Sequence, residues 1–286
     1  MIIDAHAHIY PDKIAESVVQ KLSAPTGLTP SSNGTARGLL LNMQISGIDK
    51  SVILPVATNP LKVDHLNDFA FSFNGQNGLY SMGAMHPDCT YYREELARIA
   101  ANGIKAVKIH PVYQGVDFDD IRYLRIFERA SELGLFIITH AGYDIGFPNI
   151  EHALYEKIEN AIKAVGNFKL VLAHMGNWEN WNNFEDFPIY DDLYIDTSFS
   201  LDKYIYRNDE NRSEDIIKAY GKTGNFMKAE QFTRYLNKFG ADHILFGSDS
   251  PWDDPAKPLN FIRNLSINEA DKKLILGENA ARIFKI

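Results

Sequence analysis

Ile2-Ile3-Asp4-Ala5-His6-Ala7-His8 opens the chain, and its apolar start followed by alternating small and polar residues reads as a β-strand. Side chains alternate across a strand, so His6 and His8 point the same way and can grip one ion together. Three further segments end alike. Leu135-Phe136-Ile137-Ile138-Thr139-His140 lies near the middle, Leu170-Val171-Leu172-Ala173-His174 follows it, and Ile244-Leu245-Phe246-Gly247-Ser248-Asp249 comes near the end. One site assembled from the ends of many strands is what a parallel β/α barrel provides at its C-terminal face.

The remaining strands and helices fit that frame. Strands are expected at Ser51–Val56, Leu79–Met85, Ile104–Pro111 and Leu193–Thr197, making eight in all. Helices are expected from Pro11 to Lys21, from Leu39 to Gly47, and over Asp64–Phe73, Tyr91–Ala101, Asp119–Leu133, Glu151–Val165 and Phe226–Phe239. Two more fall at Asn268–Leu276 and Gly277–Ile286, and Ser23–Asn33 reads as a loop. Eight strands with helical crossovers predict a distorted (β/α)8 barrel, a single domain over residues 1–286. No Gly-rich phosphate turn follows the first strand, which argues against an open doubly wound sheet. Residues 9–37 and 198–225 exceed ordinary βα loops and are expected to lie over the site, the second as a lid.

Composition narrows the function classes. Hydrophobic residues make up 45% of the 286, charged residues 23%, and the formal net charge is -8. No basic block is present to track phosphates, so a nucleic-acid partner is not expected. The single cysteine, Cys89, rules out an intramolecular disulfide and a Cys-rich zinc site. The opening residues lack the pattern of a signal peptide, and no apolar run approaches the roughly 20 residues of a membrane span. The expectation is a cytoplasmic protein with a small-molecule substrate and no membrane partner; a homo-oligomer is compatible with the sequence.

Imidazole nitrogen suits zinc and other first-row ions, which makes His6 and His8 metal candidates. His140 and His174, at successive strand ends, are best explained by one shared site. Asp249 closes an apolar strand, where a carboxylate is costly to bury unless it meets a cation or several donors. Lys108 and His110 share a face of the fourth strand and are candidate substrate contacts. Trp252, Trp178, Trp181, Tyr113 and Tyr143 follow strand ends and are candidates for the pocket wall, Tyr113 and Trp252 as substrate contacts.

Taken together, these motifs resemble the amidohydrolase superfamily, in the amidohydrolase-2 group that includes aminocarboxymuconate semialdehyde decarboxylase. The resemblance rests on Asp4-Ala5-His6-Ala7-His8, Lys108-Ile109-His110-Pro111, Thr139-His140-Ala141-Gly142 and Leu172-Ala173-His174-Met175-Gly176. It extends to Phe246-Gly247-Ser248-Asp249-Ser250-Pro251 and the ending Gly277-Glu278-Asn279-Ala280-Ala281-Arg282-Ile283-Phe284, so it spans nearly the whole chain. It implies one divalent ion, zinc before manganese or iron, held by His6, His8, His140 and Asp249. Asp249 and His174 would be the catalytic pair, His174 as the neighbouring proton-transfer residue. In binuclear relatives a fourth-strand lysine is carboxylated to bridge two metals; contact with an anionic substrate or a carboxylate partner is the expectation preferred for Lys108. Related metal-dependent DNases carry a glutamate on the fourth strand, which this chain lacks.

Chemically, a cation held by neutral histidines brings the pKa of its water to about 7. The sequence therefore predicts a metal-dependent hydrolase acting on a small carboxylated, amide, ester or lactone substrate. Its rival is a non-oxidative decarboxylase or hydratase of a small unsaturated or aromatic carboxylic acid, with His174 protonating the adjacent carbon. A barrel that has lost activity and serves as a scaffold is the third reading, disfavoured by a complete ligand set.

Overall fold

Apolar β-branched runs punctuated by amphipathic helices give the alternation seen in the computed structural model, which describes residues 1–184, 186–201, 212–221 and 226–286. The strands are β1 (Ile3–Ala7), β2 (Lys50–Ile53), β3 (Leu79–Ser81), β4 (Gly83–Ala84), β5 (Ala106–Ile109), β6 (Phe136–Thr139), β7 (Leu170–Leu172), β8 (Leu193–Asp196) and β9 (Ile244–Leu245). Every pairing between neighbours is parallel, in the orders β1-β2-β3 and β4-β5-β6-β7-β8-β9. β3 and β4 are one crossing interrupted at Met82, whose N–H donates to Ile53 O at 3.0 Å. The ring closes between the ends of the chain. Ala5 N donates to Phe246 O at 2.8 Å, Asp249 N to His6 O at 2.8 Å, and Ala7 bridges Ser250 in parallel. The chain is a (β/α)8 barrel whose first strand is irregular between Asp4 and Ala7.

Strands prove shorter than their apolar runs suggest. His8, His110 and His140 come one residue after their strands end, His174 two and Asp249 four. The expected strand over 79–85 is split, and that over 244–249 is regular only at Ile244–Leu245.

Helices α1 (Asp12–Thr26), α2 (Ala36–Ser46), α3 (Val63–Phe71), α4 (Tyr92–Ala101), α5 (Pro111–Gln114), α6 (Ile121–Glu132) and α7 (Tyr155–Val165) cover the first half of the ring. α8 (Glu214–Tyr220), α9 (Ala229–Phe239), α10 (Ala256–Asn264), α11 (Glu269–Lys273) and α12 (Asn279–Phe284) cover the rest. α1 outruns its expected end at Lys21: Pro25 sits inside its last turn, and Gly27, with φ 74°, closes it. The segment expected as a loop from Ser23 is thus helical at its start. α7 begins four residues later than Glu151, and α8 and α10 were not anticipated. Much of the expected lid over 198–225 falls at 202–211 and 222–225, outside the described residues.

The core lies between the ring and its helices. α6 turns Tyr123, Ile126, Phe127 and Ala130 inward, and Phe127 stacks on Phe168 at 5.0 Å and packs against Phe118 at 4.7 Å. Full burial of each such side chain stabilises by about 1.5–3 kcal/mol, which holds the ring rigid beneath the site. No helix among the described residues is long and apolar enough to cross a membrane.

Candidate active site

β1 delivers the two histidines. Their Cβ atoms need room, and the far side of the closure provides it: a Cβ on Gly247 would stand 2.9 Å from that of His6. Each ring is oriented from behind. His6 Nδ1 lies 2.8 Å from Asp196 Oδ2, and His8 Nδ1 lies 2.7 Å from the Leu54 carbonyl. A carbonyl only accepts, so His8 carries its proton on Nδ1, and the carboxylate places the His6 proton there too. In the neutral rings each Nε2 is then the nitrogen without a proton, that of His6 lying 3.4 Å from Lys108 Nζ.

Those lone pairs face Asp249. Its Oδ1 lies 3.1 Å from His8 Nε2 and 3.4 Å from His6 Nε2. With neither nitrogen carrying a proton toward the carboxylate, an ionised Asp249 finds no donor on these two rings, although each lies within about hydrogen-bonding reach of it. Ligands about 2.0–2.1 Å from a tetrahedral zinc lie roughly 3.3 Å apart, the spacing found here. The donor set therefore fits a divalent ion, and His6, His8 and Asp249 could hold one. Metal-ligating histidines commonly give their other N–H to a carboxylate or carbonyl, as both do here.

Backbone strain accumulates at the same place. Asp249 (φ 65°) and His174 (φ 60°) both adopt the left-handed region, which costs a non-glycine residue on the order of 1 kcal/mol. At His174 the bend turns the ring toward the seat: its centroid lies 5.4 Å from that of His6 and 4.7 Å from that of His140. His174 Nδ1 is 3.0 Å from the Ser198 carbonyl and 3.0 Å from Ser198 Oγ. The carbonyl fixes the proton on Nδ1, leaving Nε2 as the basic nitrogen. Burial holds the His174 ring well below its ordinary pKa, aided by the neighbouring His140 and His6.

Asp196, at the end of β8, ties these groups together. It is 1% exposed, and besides the His6 ring it accepts from His174 N at 3.1 Å, from Ser198 N at 3.0 Å and from Ser198 Oγ. Sequence reading passed over Asp196, although the signal that marks Asp249, a carboxylate closing an apolar strand, is present in Leu193-Tyr194-Ile195-Asp196. Ser198 was missed as well; a serine two residues beyond a strand carries no such signal.

Lys108, 1% exposed, brings Nζ to 3.4 Å from His6 Nε2. Burial pushes its pKa down to about 8 against the opposing pull of Asp196 and Asp249. Burial likewise raises the Asp249 carboxyl above the usual carboxylate range, countered in part by the charge of Lys108.

His140, expected as a ligand beside His6 and His8, does not join their group here. Its Nε2 donates to Tyr143 O at 2.9 Å, and its ring stacks on His110 at 4.3 Å. It belongs geometrically to a second cluster, His110, His140 and Asp144. There His110 Nδ1 accepts from Tyr113 N at 3.4 Å, so its Nε2 carries the proton, 3.6 Å from Asp144 Oδ2. Burial raises Asp144 to about 7. Both imidazoles of this cluster thus offer N–H donors through Nε2, with the Nδ1 of His140 as its open nitrogen.

One cavity of about 490 Å³ joins the two clusters to the exterior. Tyr113, Trp178 and Trp252 line it as expected; Trp181 and Tyr143 do not. Trp181 is instead buried, its Nε1 donating to His174 O at 3.0 Å. Tyr10, 6.5 Å from Trp252 in an edge-on contact, lines the cavity and was not anticipated.

The family model described as amidohydrolase matches residues 3–286. Among solved structures, 5-carboxyvanillate decarboxylase from Sphingomonas paucimobilis is 18% identical, with a TM-score of 0.64 over 100% of this chain and 99% of that one. Dihydroxybenzoic acid decarboxylase from Polaromonas sp. JS666, solved with manganese and the inhibitor 2-nitroresorcinol, is 16% identical, with a TM-score of 0.65 over 99% and 96%. A 2-pyrone-4,6-dicarboxylic acid hydrolase, so described provisionally, from Pseudomonas putida is 16% identical, with a TM-score of 0.64 over 99% and 97%. At these identities the likeness establishes a shared fold. The search of curated proteins returned no match.

Proposed function

This chain belongs to the amidohydrolase family, and on that footing we propose that it is a divalent-metal-dependent non-oxidative decarboxylase of a small aromatic or unsaturated carboxylic acid. One observation carries the reading: the His6/His8/Asp249 seat opens into a cavity walled largely by apolar side chains. A carboxylate drawn into it exchanges water for apolar surface everywhere except at the seat. That desolvation raises the free energy of the localised charge more than that of the dispersed charge from which carbon dioxide departs. The decarboxylases among the structural relatives support the same reaction.

A divalent ion held by His6, His8 and Asp249, with the open Nδ1 rather than the committed Nε2 of His140 as a further donor, would supply a Lewis acid that binds and orients the substrate carboxylate. The chain's own groups complete the chemistry. Breaking the carbon–carbon bond leaves the electron pair on the substrate carbon, and that carbon needs one proton. His174 lines the same cavity with Nδ1 held on Ser198 O, which leaves Nε2 as its basic nitrogen. Because burial makes an imidazolium there a strong acid, a proton taken from solvent at Nε2 passes readily to carbon. Asp196 keeps the His6 ring and the His174 backbone in register throughout. Lys108 lies close enough to the seat to pair with a second oxygen of the substrate.

Hydrolysis of an amide, ester or lactone is the second reading. It is favoured by Asp249 Oδ1, which faces the lone pairs of both histidines, where a carboxylate would take a proton from water. The two separate cleanly. Zinc- and manganese-loaded protein is incubated in D2O with 2,6-dihydroxybenzoate, 5-carboxyvanillate and 2-pyrone-4,6-dicarboxylate. Decarboxylation predicts carbon dioxide and one deuterium at the vacated carbon. Opening of the pyrone ring with no carbon dioxide would move the assignment to hydrolase.

A further inference from the structure

α1 carries two stripes of small or apolar residues about a quarter-turn apart, and the barrel uses only one of them. Ala15, Val19, Ser23 and Thr26 are buried against the protein. Ile14, Val18 and Leu22, spaced four residues apart, instead line the same cavity that holds the histidines. Ile14 is left 47% exposed, and Val18 and Leu22 are only half-buried. The same cavity is also lined by Leu28, Leu66 and Ile145, and on α1 itself by Lys21 and Thr26. A stripe of this kind on a helix that already has a packed face is accessible apolar surface continuous with the seat.

Size says what it takes. A cavity of about 150 Å³ accommodates one benzene ring, and this cavity is about 490 Å³. An acid of one ring seated at His6, His8 and Asp249 therefore fills roughly a third of it.

We propose that the α1 arm of the cavity is a subsite for an apolar chain or second ring carried by the substrate itself, so that the substrate is a carboxylic acid with a sizeable apolar substituent. The proposal rests on the carboxylic-acid reading above. The occupant must be attached to the seated group, because the arm and the seat are one continuous space. Each methylene moved into the arm leaves water, and binding tightens by about fourfold per methylene at the usual transfer free energy.

The test uses the zinc-loaded full chain and two probe series read by calorimetry. One is 2-hydroxybenzoate with methyl to hexyl chains at each open ring position; the other is phenols with the same chains and no carboxylate. Dissociation constants in at least one positional series of acids, and in the phenols, are expected to fall by about threefold to fourfold per added methylene. Val18→Trp and Leu22→Trp, which fill the arm, are expected to flatten that slope to under about 1.5-fold per methylene. The wild-type series decides on its own should either variant fail to fold. Acids that bind with no dependence on chain length overturn the subsite and leave the carboxylate reading standing. Phenols that tighten with length while no acid binds keep the subsite and overturn the carboxylate reading. No length dependence in either series, or a slope that persists in both tryptophan variants, overturns the subsite.

Discussion

Asp196 illustrates how one buried carboxylate sets the orientation of the groups around it. Its carboxylate holds the His6 proton on Nδ1 and so keeps the Nε2 lone pair aimed at Asp249. Asp196→Asn preserves the volume but weakens that orientation, and is expected to lower zinc affinity by about 10–100-fold, measured by chelator competition. Unchanged affinity would show that the His6 ring is held by packing alone. His174 makes a different forecast, since its Nδ1 is committed to Ser198 and the residue lines the cavity. His174→Asn is expected to keep most of the metal while turnover falls by about 10²–10⁴-fold. His6→Ala together with His8→Ala should lose metal and turnover at once, because the pair supplies two of about four ligands. Elemental analysis after desalting reads both; equal metal loss in His174→Asn would make that residue a ligand.

Elements carry the energy that lets such residues be strained. α6 places Phe127 wholly out of solvent between Phe118 and Phe168, far in the chain from the strained Asp249 and His174. Phe127→Ala leaves a cavity there and is expected to cost about 3–5 kcal/mol in denaturant unfolding, with metal content per folded chain unchanged. A loss under about 1 kcal/mol would mean the site collapses to fill the gap. At this scale the sequence was legible wherever apolar periodicity ran on without interruption, as in α6 and β6. It was less legible where tertiary context overrides local signals. Pro25 does not end α1 at once: in the last turn it forfeits the single bond its own N–H would make, and the left-handed Gly27 closes the helix two residues later. Strand ends were misjudged for a related reason: an apolar residue can continue the core after the ladder has stopped. Asp249 and the histidines were readable as chemical oddities at the ends of apolar runs. Ser198 and the cavity stripe of α1 were not, since their meaning depends on what faces them across the barrel.

At the scale of the whole molecule, the two ends of the chain close one ring and build one seat. His6 and His8 come from the first strand, Asp249 from just beyond the last, and Asp249 N is hydrogen-bonded to His6 O at 2.8 Å. Metal removal should therefore loosen the closure without unfolding the barrel, whose core does not involve the ligands. Chelation is expected to lower the midpoint of thermal unfolding while far-ultraviolet circular dichroism at 25 °C stays unchanged. A bound ion at 100 times its dissociation constant contributes about 2.7 kcal/mol. Loss of helical signal on chelation would instead make the ion part of the fold.

The central claim is that a single divalent cation sits between the Nε2 atoms of His6 and His8 and the carboxylate of Asp249. Anomalous X-ray scattering at the zinc edge, from crystals grown after reconstitution with one equivalent of zinc, tests it most directly. The account predicts one peak about 2.0–2.2 Å from those three side chains. A peak within the His110, His140 and Asp144 cluster, or none at His6 and His8, would contradict it.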